Sequence, residues 1–313
     1  MDDQASTDEA QVRIAECPQC GAQVELPVER ISGECAFCQS KLIEKLGQRL
    51  VFDRVAPFDL TKEQAGAHLK TAFRSALMAP EKLRKAGKPE DVEGVYLPFW
   101  AYDAVARSTY SAEIGINWWE TQTYTTTDSK GKTVTRTRRV LRTEWFSSDG
   151  THVSDYRDQL VSASTGLAEA EANELEPFDV GLCLPFAPEL LAGWAAERPS
   201  VVGDEALNTA RTEFMELESR AIAAFLPGDS QRNITFSTDL QMVDVDLFLL
   251  PVWIAKYSHN GQVHRLLVNG QTGEVVGQIP RSMAKVASLI AIGVLVSAAI
   301  TAYMGKLWGV FWF

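Results

Sequence analysis

The chain has 313 residues, with 30 Lys and Arg against 41 Asp and Glu, which gives a net charge of −11. The 46% apolar and 23% charged content is that of a folded protein and excludes a disordered chain. The acidic balance excludes nucleic-acid binding over a broad basic surface. Five cysteines are too few for a small disulfide-stapled secreted fold, and the length allows about two domains.

Four of the five cysteines form a metal-ligand pattern near the N-terminus. Two C-x-x-C pairs, Cys17/Cys20 and Cys35/Cys38, are separated by 14 residues. Each pair places two thiolates at one tight turn, and two such turns close a tetrahedral four-sulfur site. Residues 1–50 are therefore predicted to form a zinc ribbon, with a structural Zn²⁺ because the protein fills all four ligand positions. The alternative is a redox-active C-x-x-C pair.

The charge of the ribbon bears on what it contacts. Residues 1–50 contain nine acidic and five basic side chains. A ribbon that bound phosphate groups should be basic. The charge therefore favours a protein partner, with nucleic acid as the alternative.

The region after the ribbon is predicted to contain a helix and a long β-hairpin. Thr61 and Gln64 form a capping-box pattern, and apolar residues then recur at helical spacing. The segment Ile116–Phe146 is rich in β-forming residues and is interrupted at Asp128–Lys132, which predicts a hairpin. Because its strands are polar on both faces near the tip, we expect the hairpin to project from the body.

The second arm of the predicted hairpin carries the basic run Arg136, Arg138, Arg139 and Arg142. The functional interpretation is contact with an anionic surface, either lipid headgroups or an acidic partner. The structural alternative is a solvated strand face on which the arginines pair with Glu120 and Glu144.

The second half of the chain is predicted to contain two helices followed by strands. Pro188–Ala196 and Asp204–Leu226 are the predicted helices, and the second has apolar residues on or near one face. Strands are predicted at Val243–Tyr257 and, after an Asn-Gly turn, at Val263–Val268.

A short sequence occurs once in each half of the chain. Leu97-Pro98-Phe99-Trp100 is echoed by Leu250-Pro251-Val252-Trp253. We therefore predict an α+β fold with two related helix-plus-antiparallel-sheet units. The first unit would be residues 51–165, with the projecting hairpin, and the second residues 166–280.

The C-terminal region contains an uncharged run of the length that spans a membrane. Val286–Met304 is 19 residues without a charge, about 28 Å as a helix against a hydrocarbon core of roughly 30 Å. It predicts one transmembrane helix over residues 286–304, a tail anchor, with a buried core helix as the alternative. Arg281 and Lys285 precede the run and Lys306 follows it, which favours a body in the cytoplasm and a single pass through the cytoplasmic (inner) membrane.

The sequence contains no recognisable catalytic motif. The four histidines, His68, His152, His259 and His264, are distant from the cysteines and form no H-E-x-x-H pattern. G-x-S-x-G, P-loop and dinucleotide-binding patterns are also absent. We therefore predict no catalytic and no cofactor-binding residues, and a protein that is not an enzyme. The alternative is an active site assembled from distant residues in a cleft between the two units.

The ribbon and three further segments resemble a bacterial family of zinc-ribbon, C-terminally membrane-anchored proteins of unassigned function. The segments are Gly94-Val95-Tyr96-Leu97-Pro98-Phe99-Trp100, Leu249-Leu250-Pro251-Val252-Trp253 and Val268-Asn269-Gly270-Gln271-Thr272-Gly273-Glu274-Val275. Some members resemble the membrane partners of flotillin-like (SPFH) or phage-shock-type envelope-stress proteins. The resemblance implies a membrane scaffold or recruiter.

Together these features favour a non-enzymatic, membrane-anchored adaptor on the cytoplasmic face, in membrane-stress or membrane-organisation complexes. Its ribbon and hairpin would be the contact surfaces. The expected partners are membrane lipid, through the C-terminal helix, and an SPFH/flotillin-like or other membrane scaffold. The alternative is a membrane-tethered nucleic-acid-binding protein, suggested by the ribbon and by the Arg136–Arg142 run.

Overall fold

The structure is a computed structural model. It describes residues 12–17, 19–43, 52–76, 79, 91–127, 129, 131–259, 262–280, 282, 285, 290–298 and 300–301. Residues 1–11 and 44–50 of the predicted ribbon lie outside this set. The strands are β1 (Val12–Glu16), β2 (Gln23–Pro27), β3 (Arg30–Glu34), β4 (Lys41–Ile43), β5 (Arg54–Val55), β6 (Asp91–Thr127), β7 (Thr133–Ser162), β8 (Leu184–Pro185), β9 (Ala195–Glu197), β10 (Ser230–His259), β11 (Gln262–Asn269) and β12 (Val275–Val276). The helices are α1 (Lys62–Ser75), α2 (Glu169–Leu175) and α3 (Gly203–Phe225), and residues 290–298 are also helical.

The described strands form a small sheet and a large mixed one. β1 pairs only with β2, whereas ten strands form a sheet whose main path is β12-β11-β10-β6-β9-β3-β4. The pairs β6–β9 and β10–β5 are parallel, with Val95 opposite Ala195 and Phe248 opposite Arg54. The predicted fold of two related units with antiparallel sheets is therefore wrong. Short strands from distant parts of the chain pair within one mixed sheet. No periodic pattern in the sequence indicates which strands pair.

The chain divides into two compact units that are each discontinuous in sequence. The ribbon unit comprises residues 1–99, 164–200 and 247–313, and the hairpin unit comprises residues 100–163 and 201–246. β6 and β10 each contribute residues to both units.

The start of α1 in the ribbon unit confirms the predicted capping box. The Thr61 backbone N–H donates to Gln64 Oε1 at 2.8 Å, and the Gln64 backbone N–H donates to Thr61 Oγ1 at 3.4 Å. These bonds satisfy two backbone donors that the first helical turn otherwise leaves unpaired. The cap therefore fixes where the helix begins.

The core of the ribbon unit lies between α1 and the paired strands β10 and β11. Leu69 and Phe73 are buried there, and the Phe73 ring meets Tyr257 edge to face with centroids 5.3 Å apart. Trp253 is also buried and donates its indole N–H to the Leu60 carbonyl at 3.2 Å. Trp253 is thus a core residue with a satisfied polar group.

The core of the hairpin unit lies between α3 and the long strands. Residues of α3 at four-residue spacing are buried: Ala206, Ala210, Phe214, Glu218 and Ile222. This spacing places them on one face of the helix. Their neighbours on the strands include Tyr102, Ala104 and Val161. The predicted helix Asp204–Leu226 is confirmed within one residue at each end.

A second predicted helix is largely absent. Pro188–Leu191 forms a short 3-10 helix, and the chain then continues as β9. β9 lies between β3 and β6, with Ala196 opposite both Ser32 and Tyr96. The backbone hydrogen bonds of the sheet replace those of a helix in this segment, so Pro188–Ala196 was wrongly predicted as a helix.

The predicted long hairpin is confirmed as the pair β6 and β7. Its strands are longer than the sequence indicated, since β6 begins at Asp91 and β7 continues to Ser162. Two residues of the predicted turn, Asp128 and Lys130, lie outside the described residues.

The predicted transmembrane helix is not supported. Within the described part of the chain, no helix is both long and apolar enough to cross a membrane. Residues 286–289, 299 and 302–304 of the predicted span lie outside the described set. The inner-membrane, single-pass localisation depended on that span and is corrected with it.

Candidate metal centre

The two C-x-x-C segments occupy equivalent places in two antiparallel strand pairs. Residues 17–22 connect β1 to β2, in which Glu16 lies opposite Gln23. Residues 35–40 connect β3 to β4, in which Glu34 lies opposite Lys41. Each connection is a six-residue turn that begins with a cysteine and carries the second cysteine three residues later.

The two turns share the same backbone hydrogen bonds. In the first, Cys17 N–H donates to Ala22 O at 2.8 Å and Gly21 N–H donates to Cys17 O at 2.9 Å. In the second, Cys35 N–H donates to the residue-40 carbonyl and Gln39 N–H donates to Cys35 O, both at 2.8 Å. The residue after each second cysteine has a left-handed backbone, with φ of 71° at Gly21 and 56° at Gln39. The turns are therefore two copies of one local structure.

The four predicted metal ligands lie together. All four sulfur atoms are within 4.8 Å of one another. Cys17 Sγ is 3.7 Å from Cys38 Sγ, and Cys20 Sγ is 3.8 Å from Cys35 Sγ. A disulfide requires about 2.05 Å, so these pairs are thiols. Four sulfurs at this spacing could hold one metal ion.

Within each pair the first cysteine is buried and the second is exposed. Cys17 and Cys35 are each 1% exposed and pack with Val24, Leu26 and Leu42. Cys20 and Cys38 lie at the surface. The small apolar core thus holds one sulfur of each pair in place, and the tight turn positions the other.

Ser40 is part of the site, although the sequence pattern did not indicate it. Its Oγ lies 3.0 Å from both Cys17 Sγ and Cys38 Sγ. In the metal-free protein this hydroxyl is the main reason that the pKa of Cys17 falls to about 6, and it also lowers the pKa of Cys38. The same position in the first turn is Ala22. The signal that could have identified Ser40 is its place five residues after Cys35, which brings its side chain to the sulfurs.

Cys20 has the opposite titration behaviour. The Ala22 backbone N–H lowers the pKa of Cys20, but contacts with Cys38 and the other thiols, together with desolvation, raise it to about 12. Crowded thiols resist losing further protons because like charges repel.

The hairpin unit contains a buried ionisable cluster that does not resemble a catalytic site. Glu218 on α3 has a fully buried side chain, and its oxygens accept hydrogen bonds from Ser108 at 2.7 Å and Tyr156 at 2.7 Å. His152 Nδ1 lies 2.9 Å from the same carboxylate. Burial raises the pKa of Glu218, but the bonds from Tyr156, His152 and Ser108 lower it more, to about 2. The carboxylate is satisfied on every side, as in a structural network.

The ribbon unit contains a cleft of about 710 Å³. Its lining includes Glu171, Glu174 and His264. Glu171 forms an ion pair with Arg265 at 2.6 Å, and the His264 ring stacks on Tyr257 with centroids 5.3 Å apart. These partners hold Glu171 and His264 in structural contacts, and the described residues that line the cleft include no nucleophile with an adjacent base.

Comparison with known proteins found one similar sequence of note. The chain is 27% identical over 250 residues to the uncharacterized protein YdjG of Bacillus subtilis (strain 168), a match that covers 79% of this chain and 69% of that protein. No family model matches the chain. No solved structure matches it either. The site is therefore interpreted from its own chemistry.

Proposed function

We propose that the protein is a non-enzymatic adaptor whose four cysteines hold a structural zinc ion and whose ribbon contacts a partner protein. The proposal rests on a closed four-sulfur site that carries an exposed aromatic side chain. The site has no position for a substrate, because four protein ligands complete the usual coordination of zinc. A metal in such a site stabilises the turns around it, and those turns become the functional surface.

The sulfur spacing supports a tetrahedral four-sulfur metal site. With zinc–sulfur bonds of about 2.3 Å, a regular tetrahedron has sulfur–sulfur edges of about 3.8 Å. The Cys17–Cys38 and Cys20–Cys35 separations of 3.7 and 3.8 Å agree with this length. Tetrahedral four-sulfur sites select zinc or iron, and metal analysis separates the two.

Phe37 supports a protein partner for the ribbon. It lies between Cys35 and Cys38 at the second turn and is 73% exposed. Exposed aromatic side chains at a rigid position make strong contacts in protein interfaces. The acidic charge of residues 1–50 disfavours a phosphate-rich partner. Flotillin-like (SPFH) scaffold proteins, the class that the family resemblance implies, are the first partners to test.

The test compares two variants at equivalent positions of the two turns. Phe37 and Gln19 both stand two residues after the first cysteine of their pair, and both are exposed. We expect Phe37→Ala to abolish crosslinking to a flotillin-like (SPFH) scaffold protein. Gln19→Ala should retain this crosslinking, and the zinc content should be the same in both variants. Equal crosslinking by Phe37→Ala and the parent protein, at equal zinc content, would contradict a contact role for the ribbon.

A further inference from the structure

The hairpin formed by β6 and β7 presents a line of polar and aromatic side chains on one face. Arg142 Nε donates to Glu120 Oε2 at 2.8 Å, and Gln122 Nε2 donates to the same oxygen at 2.8 Å. Arg138 Nη2 donates to Gln122 Oε1 at 3.2 Å, and its guanidinium lies 5.7 Å from the Tyr124 ring centre. These contacts place the four side chains and Tyr124 on one face of the strand pair.

Strand geometry extends this face by two residues. Side chains two apart on a strand share a face, so Trp118 stands beside Glu120, and Arg136 beside Arg138. Trp118 is 46% and Tyr124 41% exposed. We call the set Trp118, Tyr124, Arg136, Arg138 and Arg142 the hairpin patch. Trp119 and Arg139 point to the opposite face by the same alternation.

The hairpin patch differs from the rest of the chain in charge. Residues 116–146 contain six basic and three acidic side chains, in a chain whose net charge is −11. Tryptophan, tyrosine and arginine are also the residues that contribute most to binding at protein interfaces. The patch is therefore suited to a partner that is negatively charged and carries apolar side chains.

The hairpin also offers backbone groups to a partner. Among the described strands, β7 is hydrogen-bonded to β6 alone, so β7 is an edge strand. An extended peptide can pair with an open edge through its main chain, while its side chains contact alternate residues of the sheet. The open edge of β7 and the alternating side chains of the sheet favour binding of an extended peptide segment.

We propose that the hairpin patch binds an extended acidic segment of a partner protein, one in which carboxylates alternate with apolar residues. A protein segment fits the patch better than nucleic acid does. A peptide can pair with the open edge of β7 through its main chain, which a nucleic acid cannot do. The patch belongs to the hairpin unit and the cysteine site to the ribbon unit, so this inference goes beyond the proposed function.

The experiment measures binding of the full chain to a fluorescent twelve-residue peptide in which glutamate alternates with leucine or phenylalanine. We expect micromolar binding that weakens with salt, and no binding of the same peptide with lysine in place of glutamate. Trp118→Ala and Arg138→Gln should each weaken binding about tenfold or more. Trp119→Ala and Arg139→Gln, on the opposite face, are the matched controls and should leave binding unchanged.

Three results would overturn the proposal. One is equal binding of the glutamate peptide by all four variants and the parent. Another is tighter binding of a twelve-nucleotide oligo-dT than of the peptide, with loss in Trp118→Ala, which would assign the patch to nucleic acid. The third is self-association of the chain, measured by analytical ultracentrifugation, that Trp118→Ala abolishes. A Cys17→Ser, Cys20→Ser variant should still bind the peptide, which separates this test from that of the ribbon.

Discussion

Gln39 and Gly21 occupy the same place in the two cysteine turns, yet only one of them is glycine. Both have a positive φ. A side chain in this region costs about 1–2 kcal/mol because Cβ approaches the backbone carbonyl, whereas glycine has no Cβ. The second turn is therefore strained where the first is not.

We predict that Gln39→Gly tightens metal binding. Glycine removes the backbone strain but gives the unfolded chain more conformational entropy, which offsets part of the gain. The net effect should stabilise the closed turn by about 0.5–1 kcal/mol, which is roughly a two- to fivefold gain in metal affinity. Competition with a chromophoric chelator measures this change. The converse variant, Gly21→Ala, should weaken binding. An unchanged affinity in both variants would show that these backbone angles do not limit the site.

Ser40 provides a second residue-scale prediction. Its hydroxyl lies 3.0 Å from two sulfurs. Groups that hydrogen-bond to metal ligands orient them, and their loss costs about 10–100-fold in metal affinity. We expect Ser40→Ala to weaken metal binding at least tenfold in the same chelator competition. Ser40→Thr keeps the hydroxyl and should restore most of the affinity, and its failure to do so would exclude the hydrogen bond as the cause.

The lowered pKa of Glu218 leads to a prediction of how the stability of the protein depends on pH. Its pKa is about 2 in the folded protein, below the ordinary value of 4.5. A carboxylate with a lowered pKa stabilises the fold above its unfolded pKa, and this contribution is lost as pH falls toward the folded pKa. We therefore expect the free energy of unfolding to decrease between about pH 4.5 and pH 2.

Urea unfolding at several pH values tests this expectation. Glu218→Gln should be less stable near neutral pH and should lose less stability on acidification, because it has no charge to protonate. Glu216→Gln, exposed on the same helix, is the control and should resemble the parent. A Glu218→Gln curve parallel to that of the parent would show that another group causes the acid response.

At the scale of single elements, the helices that were predicted correctly are those whose sequence patterns are local. The start of α1 follows from Thr61 and Gln64, and α3 follows from apolar residues on one helical face. β9 could not be predicted, because three residues carry no measurable period and their strand geometry depends on β3 and β6. The cluster of four cysteines was predictable for the same local reason, since the two C-x-x-C pairs contain all four residues. Ser40 was missed, because its position five residues after Cys35 gains meaning only once the fold of the turn is known.

The capping box of α1 gives a prediction at this scale. Thr61→Ala removes the bond from the Gln64 backbone N–H and should destabilise the protein by about 1 kcal/mol in urea unfolding. Thr71 lies inside the same helix and bonds the Ala67 carbonyl at 3.0 Å. Thr71→Ala should be neutral or stabilising because alanine has the higher helix propensity. A similar loss of stability in the two variants would contradict a stabilising role for the capping box.

At the scale of the whole molecule, two predictions were wrong because composition and short repeated segments do not determine non-local structure. The uncharged run 286–304 predicted a membrane helix from its length and hydropathy, but no helix in the described part of the chain is long and apolar enough to cross a membrane. The repeated Leu-Pro segments predicted two successive units, but strands remote in sequence share one mixed sheet. Non-local pairing is set by contacts that no local pattern encodes.

The proposed zinc ion at the four cysteines can be tested directly. The most direct measurement is metal analysis of the purified full chain, combined with X-ray absorption at the zinc edge. We expect one zinc per chain with four sulfur ligands at about 2.3 Å, and none after the change of Cys17, Cys20, Cys35 and Cys38 to serine. Bound iron, a metal with fewer than four sulfur ligands, or a zinc content unaffected by the four substitutions would contradict the account.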